Sequence, residues 1–415
     1  MSFIACCFVL LNLGLTANVY FPYAKGARGM TYSFFAGWFA GELALQLTLV
    51  QMLLTLVMLI TGSFSGLLGS LGLLLLFANW LALLHHYYQG RAMTPRLSTA
   101  LDKGLGKDYE SKIDQSLKSS LQLSPDFLTE FNPFKVNRRG VEVISDIPYG
   151  HEGLALDIYR PNIELHGPAP VLMHIHGGAW IYGDKVGQAV PLMLHLARLG
   201  WVCCSISYRL SPKATHPDHI TDCKAALTWI KANIADYGGD PAFIAVTGGS
   251  AGGHLSALLA LTPNDPVFQS GFESADTHVQ AAVPFYGVFD WTDRDHLQPN
   301  TGLDQILERQ VVKSSRSKVP EIYEQASPLV HVNPQAPPFM IVHGDKDSLV
   351  PVSLGRRFAK DLTEVSNAPV VYCEVPGAQH AFDVFASPRS ERVKLGVARF
   401  LSFCYSQHLN QQSSR

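Results

Sequence analysis

Apolar residues are concentrated at the front of the chain, where they form long uninterrupted runs. Between Gly29 and Gly90 the only charged residue is Glu42. Leu43 to Ile60 and Phe64 to Leu84 are each long enough to cross a hydrocarbon core, with Thr61-Gly62-Ser63 as a tight turn between them. Phe3 to Val19 is shorter and carries Asn12 and Asn18. It lacks the positive n-region of a signal peptide and two apolar runs follow it, so it reads as a third transmembrane helix. Residues 1–90 are therefore expected to be a helical membrane region. Lys25 and Arg28 lie in the first connection, and Arg91, Arg96, Lys103 and Lys107 follow the last span. Three spans put both groups on one side, so the positive-inside bias predicts a multi-pass protein whose large C-terminal part is cytoplasmic. Glu42, at the head of the second span, is expected at the membrane interface.

From 91 to 139 the pattern is mixed and polar, as in a linker with short helices. From 140 to 415 it changes again. Val141–Tyr149 and Leu154–Tyr159 alternate as an antiparallel pair. Continuously apolar strands then alternate with amphipathic helices: strands at Pro170–Ile175, Trp201–Tyr208, from Phe243, Val279–Phe289, Phe339–His343 and Val370–Val375, and helices at Ala189–Leu199, Asp218–Ala235 and Val352–Leu362. A last helix runs to Ser402, with Ser387 as its N-cap and Pro388 in its first turn. Asp290 to Val330 is irregular. Strands apolar on both faces and alternating with helices predict an α/β fold with a doubly wound, mostly parallel sheet. Ligands in such sheets collect beyond the C-terminal strand ends.

One strand end stands out. The run from Phe243 leads into Gly248-Gly249-Ser250-Ala251-Gly252-Gly253 and then an Ala/Leu-rich helix, which is the strand–turn–helix setting of a nucleophile elbow. A serine hydroxyl needs a base, and the base needs an orienting carboxylate. Downstream, one strand runs into Asp345 and Asp347, and the next into Gly377-Ala378-Gln379-His380. The order Ser250, Asp347, His380 suits this fold. Asp345 is expected to cap its turn, and Asp383 is a weaker rival acid. Backbone N–H groups of Gly177, Gly178 and Ala251 would receive the developing oxyanion. His176 is expected to hold its own loop in shape. Trp180 either packs that loop or lines the pocket, where His254, Phe285 and Tyr286 are further candidates.

Composition narrows the class. A formal net charge of −2 and the lack of an arginine-rich stripe argue against nucleic acid as a partner. Seven cysteines, an odd number without metal-ligand spacing, read as core hydrophobes in a reducing compartment. No metal or cofactor is called for. The expected partners are a small apolar ester and, through the N-terminal helices, the lipid bilayer.

Several stretches together resemble the hormone-sensitive-lipase-like carboxylesterases of the α/β-hydrolase fold-3 group. They are His176-Gly177-Gly178-Ala179-Trp180, Ser207-Tyr208-Arg209-Leu210-Ser211-Pro212, Pro217 with Asp222, Asp240-Pro241, the elbow, His343-Gly344-Asp345-Lys346-Asp347, and His380. The resemblance spans most of 140–400. It implies an α/β-hydrolase that cleaves carboxylic esters of short to medium acyl chains without a cofactor. Two positions depart from the lipase pattern. Ala179 stands in place of a third glycine, and Gly249 in place of an acid. These departures leave open an amidase, a formamidase or a prenylcysteine methylesterase of the same fold, and a binding protein that has lost the chemistry is the rival of another class.

Overall fold

The structure is a computed structural model. It describes residues 1–413 apart from 119–120, 122–124, 126–129, 135, 152, 164–166 and 299–301. Four helices open the chain: α1 (Phe3–Tyr20), α2 (Ala27–Glu42), α3 (Ala44–Ile60) and α4 (Gly66–Arg91). Phe3–Tyr20 and the run Gly66–Leu105 are long and apolar enough to cross a membrane. The pair α2–α3, bent by 86°, makes a third such element if counted as one. The N–H of Ser2 donates to Ser63 O at 2.8 Å, and the Tyr20 hydroxyl donates to Ala82 O at 2.7 Å. So α1 and α4 run side by side in the same direction, with α3 returning between their ends.

The Leu43–Ile60 run is helical from Ala44 onward, as its composition requires, and another helix precedes it. α2 turns sharply away from α3 and lies against the C-terminal part of the chain. Glu42 ends α2 and is buried among protein side chains. The positive charge of Arg389, which is itself buried, acts on it through space.

The stretch expected to be a linker contributes a structural helix, α5 (Thr94–Leu105). Its apolar stripe, Leu97, Leu101 and Leu105, is buried. A Cβ on Gly104 would come within 2.6 Å of Val370 O, so α5 lies directly on the last strand. The rest of that stretch lies partly outside the described residues.

The sheet has eight strands in the order β1-β2-β4-β3-β5-β6-β7-β8. β1 (Val141–Pro148) and β2 (Ala155–Pro161) pair antiparallel, and β2 pairs antiparallel with β4 (Val202–Ile206). From there β3 (Ala169–Ile175), β5 (Gly239–Gly249), β6 (Ala281–Phe285), β7 (Phe339–Gly344) and β8 (Val370–Val375) continue the sheet with parallel pairings. Alternation along each strand feeds two cores. Val171, Met173 and Ile175 face helices α7 (Asp218–Asn233), α8 (Ala251–Leu261) and α10 (Val352–Val365). Leu172 faces α5, α6 (Val190–Arg198) and α11 (Pro388–Ser413). α9 (Gly302–Ile306) lies in the irregular region and continues as a π-helical turn, Leu307–Val311. Ser387 Oγ accepts from Ser390 N–H at 3.3 Å, which is the N-cap bond its position implied.

Candidate active site

Three strand ends and one loop build the site. At the end of β5 the chain reverses into α8 at Ser250, whose φ of 58° is a left-handed value that side chains rarely adopt. The glycines around it are set by close approach. A Cβ on Gly248 would lie 2.5 Å from the Gly252 carbonyl, and one on Gly252 would lie 2.0 Å from Ile175 O. Ser250 N–H donates to Phe285 O at 3.1 Å, which fixes the turn from the neighbouring strand.

Beyond β7, the Asp347 carboxylate is buried and fully used. Oδ1 accepts from the N–H groups of Leu349 and Val350 at 2.9 and 2.8 Å. Oδ2 accepts from His380 Nδ1 at 2.6 Å, and His343 Nε2 lies 3.5 Å from the same oxygen. Burial opposes ionisation, but the two imidazoles outweigh it and hold the Asp347 carboxyl down to about 2. With Nδ1 committed to this bond, Nε2 of His380 is the ring nitrogen left to accept a proton.

Asp345 accepts from Gly377 N–H at 2.6 Å and so caps the turn, as its position suggested. Asp383 accepts from the Tyr286 hydroxyl and is not aimed at the base. Burial pushes its carboxyl up despite that bond. Gln379 went unnoticed in the sequence. Its Oε1 accepts from Ser348 N–H at 2.7 Å and from His380 N–H at 2.9 Å, tying the loop of the acid to the loop of the base. No motif marks a glutamine for that task.

The loop after β3 carries Gly177 and Gly178. His176 keeps it in shape: Nδ1 bonds Gly177 O at 2.8 Å, and the Tyr208 hydroxyl donates to His176 O at 3.0 Å. A Cβ on Gly177 would lie 3.2 Å from Ser250 Cβ, so this loop lies over the serine. The Gly177 N–H, expected to be open, donates to Gln188 Oε1 at 2.7 Å. The Ala251 N–H opens α8, where the first amides have no partner within the helix.

Ser250, His380 and Trp180 line one cavity of about 360 Å³. Its apolar walls include Val288, Leu303 and Ile306. Of the four pocket candidates only Trp180 is in the lining. Phe285, Tyr286 and His254 lie behind it, all buried. His254 serves Trp180 instead. Its Nδ1 accepts from the indole N–H at 3.2 Å, and Nε2 bonds Ala326 O at 2.6 Å. Burial depresses its imidazole to about 3, so it stays in this neutral tautomer. The Tyr286 ring packs on the His380 ring, with centroids 4.6 Å apart. A second cavity of about 340 Å³, between Pro133, Val136–Arg138 and α6, contains none of these residues.

α2 completes the surroundings. Ala27, Met30 and Thr31 form part of the same cavity wall. The Phe34 ring meets the His380 ring edge-on at 6.0 Å. Trp38 Nε1 donates to Ala381 O at 2.8 Å, and its ring stacks on Phe385 at 4.6 Å. From the other side Arg389 donates to Pro376 O at 2.7 Å and to His86 O at 2.9 Å, clasping the His380 loop to α4.

Comparison with known proteins agrees with this geometry. The BD-FAE family model matches residues 156–362. The chain is 46% identical over 407 residues to the probable carboxylic ester hydrolase LipM of Mycobacterium tuberculosis, covering 96% of this chain and 92% of LipM. It is 47% identical over 276 residues to esterase LipQ of the same organism, covering 66% of this chain and 65% of LipQ. Among solved structures, a truncated carbohydrate esterase from gut microbiota superposes with a TM-score of 0.52 at 25% identity, over 66% of this chain and 97% of that one. An elbow serine and a histidine oriented by a buried carboxylate, on a sheet shared with esterases and in a chain that follows LipM nearly end to end, make this protein a carboxylic ester hydrolase of the hormone-sensitive-lipase-like family.

Proposed function

We propose that Ser250, His380 and Asp347 act as nucleophile, base and orienting acid in the hydrolysis of short- to medium-chain esters at a membrane. His380 Nε2 takes the Ser250 hydroxyl proton as Oγ attacks the ester carbonyl. The resulting oxyanion is received by the N–H groups of Gly178 and Ala251, and by that of Gly177 once Gln188 yields it. Collapse of this intermediate expels the alcohol, which leaves with the proton from His380. Water activated by the same imidazole then releases the acid and restores Ser250. The observation that carries the reading is the 2.6 Å bond from His380 to a buried carboxylate, with His380 on the same cavity as a left-handed serine. A cavity of about 360 Å³ suits a short or medium acyl group better than a long triacylglycerol.

The apolar helices α1 and α4 support siting at a membrane. The basic residues at 25, 28, 91 and 96 lie at the hydrolase end of α1 and α4, which favours a cytoplasmic active site. Labelling with a fluorophosphonate probe followed by mass spectrometry tests the chemistry. The expected adduct is on Ser250, and its absence from folded protein overturns the reading. Labelling of an engineered linker cysteine from outside intact cells would overturn the orientation.

A further inference from the structure

α2 has two unlike faces. Its inner side supplies Ala27, Met30 and Thr31 to the cavity that holds Ser250 and His380. Its outer side, at helical spacing, carries Tyr32, Phe35 and Phe39, which are 76%, 56% and 50% exposed. Three large aromatic residues on the outside of one short helix are costly in water, whereas aromatic rings suit the headgroup level of a bilayer. The next helix, α3, also exposes large apolar side chains, Leu53, Leu56 and Ile60 among them, and the 86° bend sets α2 crosswise to the segment that would enter a membrane. A helix lying in the interface plane would have this two-faced construction. Here the face turned away from lipid is a wall of the catalytic cavity.

We propose that α2 is part of the substrate site: it forms the wall against which the acyl chain lies, between Met30 and the Leu303–Ile306 segment, and it admits an amphiphilic ester held in the bilayer interface. This rests on the esterase reading with Ser250 as nucleophile. The substrate class is thereby narrowed from small apolar esters in general to esters with one end anchored in lipid. The membrane region is then a component of specificity as well as an attachment.

The test uses the full chain in phosphatidylcholine vesicles. A fluorophosphonate adduct on Ser250 of the parent protein establishes the esterase reading first. An aryl ester series from acetate to dodecanoate is then compared between the parent, Met30→Trp and Met30→Ala. The larger side chain is expected to depress octanoate relative to acetate by about tenfold or more, and the smaller one to move the preference toward longer chains. Separately, a monoacylglycerol is held at fixed bulk concentration while phosphatidylcholine is added. Its hydrolysis is expected to fall in proportion to its mole fraction in the bilayer. An adduct on Ser250 together with an unchanged chain-length profile in both variants overturns the proposal and leaves the esterase reading standing. A rate indifferent to added phospholipid does the same. No adduct on the parent removes both.

Discussion

The Tyr286 phenol occupies the space that any side chain at position 249 would need: a Cβ on Gly249 would lie 2.7 Å from its oxygen. This is the physical reason for a glycine where related lipases carry an acid. The tyrosine packs on His380 and donates to Asp383, so it cannot simply swing aside.

Gly249→Asp is therefore expected to cost about 1–3 kcal/mol of stability through overpacking, and to lower kcat by displacing the ring behind His380. Tyr286→Gly opens a cavity of its own, but the double variant Gly249→Asp/Tyr286→Gly should lose less than the two single losses added together, because the aspartate then meets no ring. Chemical denaturation of the three proteins checks this, and additive losses in the pair would contradict it.

Tyr286→Phe removes the donor to a buried carboxylate. Burial already raises the Asp383 carboxyl in the folded state. A raised acid means the fold binds a proton more tightly than the unfolded chain, so stability falls as pH rises from the unfolded value to the folded one. Losing the donor raises it further. The variant should lose about 1–3 kcal/mol at neutral pH and less near pH 4, measured as unfolding free energy at the two pH values.

Replacing Asp347 with Asn keeps the shape but removes the charge that orients His380, and kcat is expected to drop by about 10⁴-fold. Asp345→Asn and Asp383→Asn should cost far less, because their partners are a backbone amide and a phenol. Steady-state kinetics on an aryl butyrate separates the three. Equal losses would remove Asp347 from its proposed role.

Acid sensitivity should come chiefly from histidines. His174, His216, His219 and His254 are held at about 3 by burial, so the unfolded chain takes up protons that the fold refuses. Stability should fall as pH drops from the ordinary histidine value toward 3, while the Asp347 contribution is lost only lower, as pH falls toward about 2. Both ring nitrogens of His216 lack a hydrogen-bond partner among the described residues. His216→Phe should flatten the acid limb by about 1.4 kcal/mol per pH unit, and an unchanged slope would refute the assignment.

What the sequence discloses about this protein depends on range. β8 begins and ends where its apolar run does, and the elbow, Asp347 and His380 are legible because each lies at a strand end in a fixed order. The pocket is less so. Tyr286 and His254 look like lining, yet one supports the base and the other holds Trp180, because which face of a turn points inward is decided by packing. Gln188 and Gln379 carry no signature at all. Furthest from view is α2, whose Trp38 meets Ala381 across 343 residues of chain. Composition marks it as apolar, but nothing local says that it lies beside a catalytic histidine.

The clasp between Arg389 and His86 joins a residue near the start of the chain to one near its end, and this sets an order of events during synthesis. The ribosome delivers the apolar helices first, hundreds of residues before His380 exists. α2 must then wait with its cavity face uncovered until the last strand and α11 emerge. The cavity closes only on a finished polypeptide, so a nascent or prematurely terminated chain holds the apolar helices without being a hydrolase.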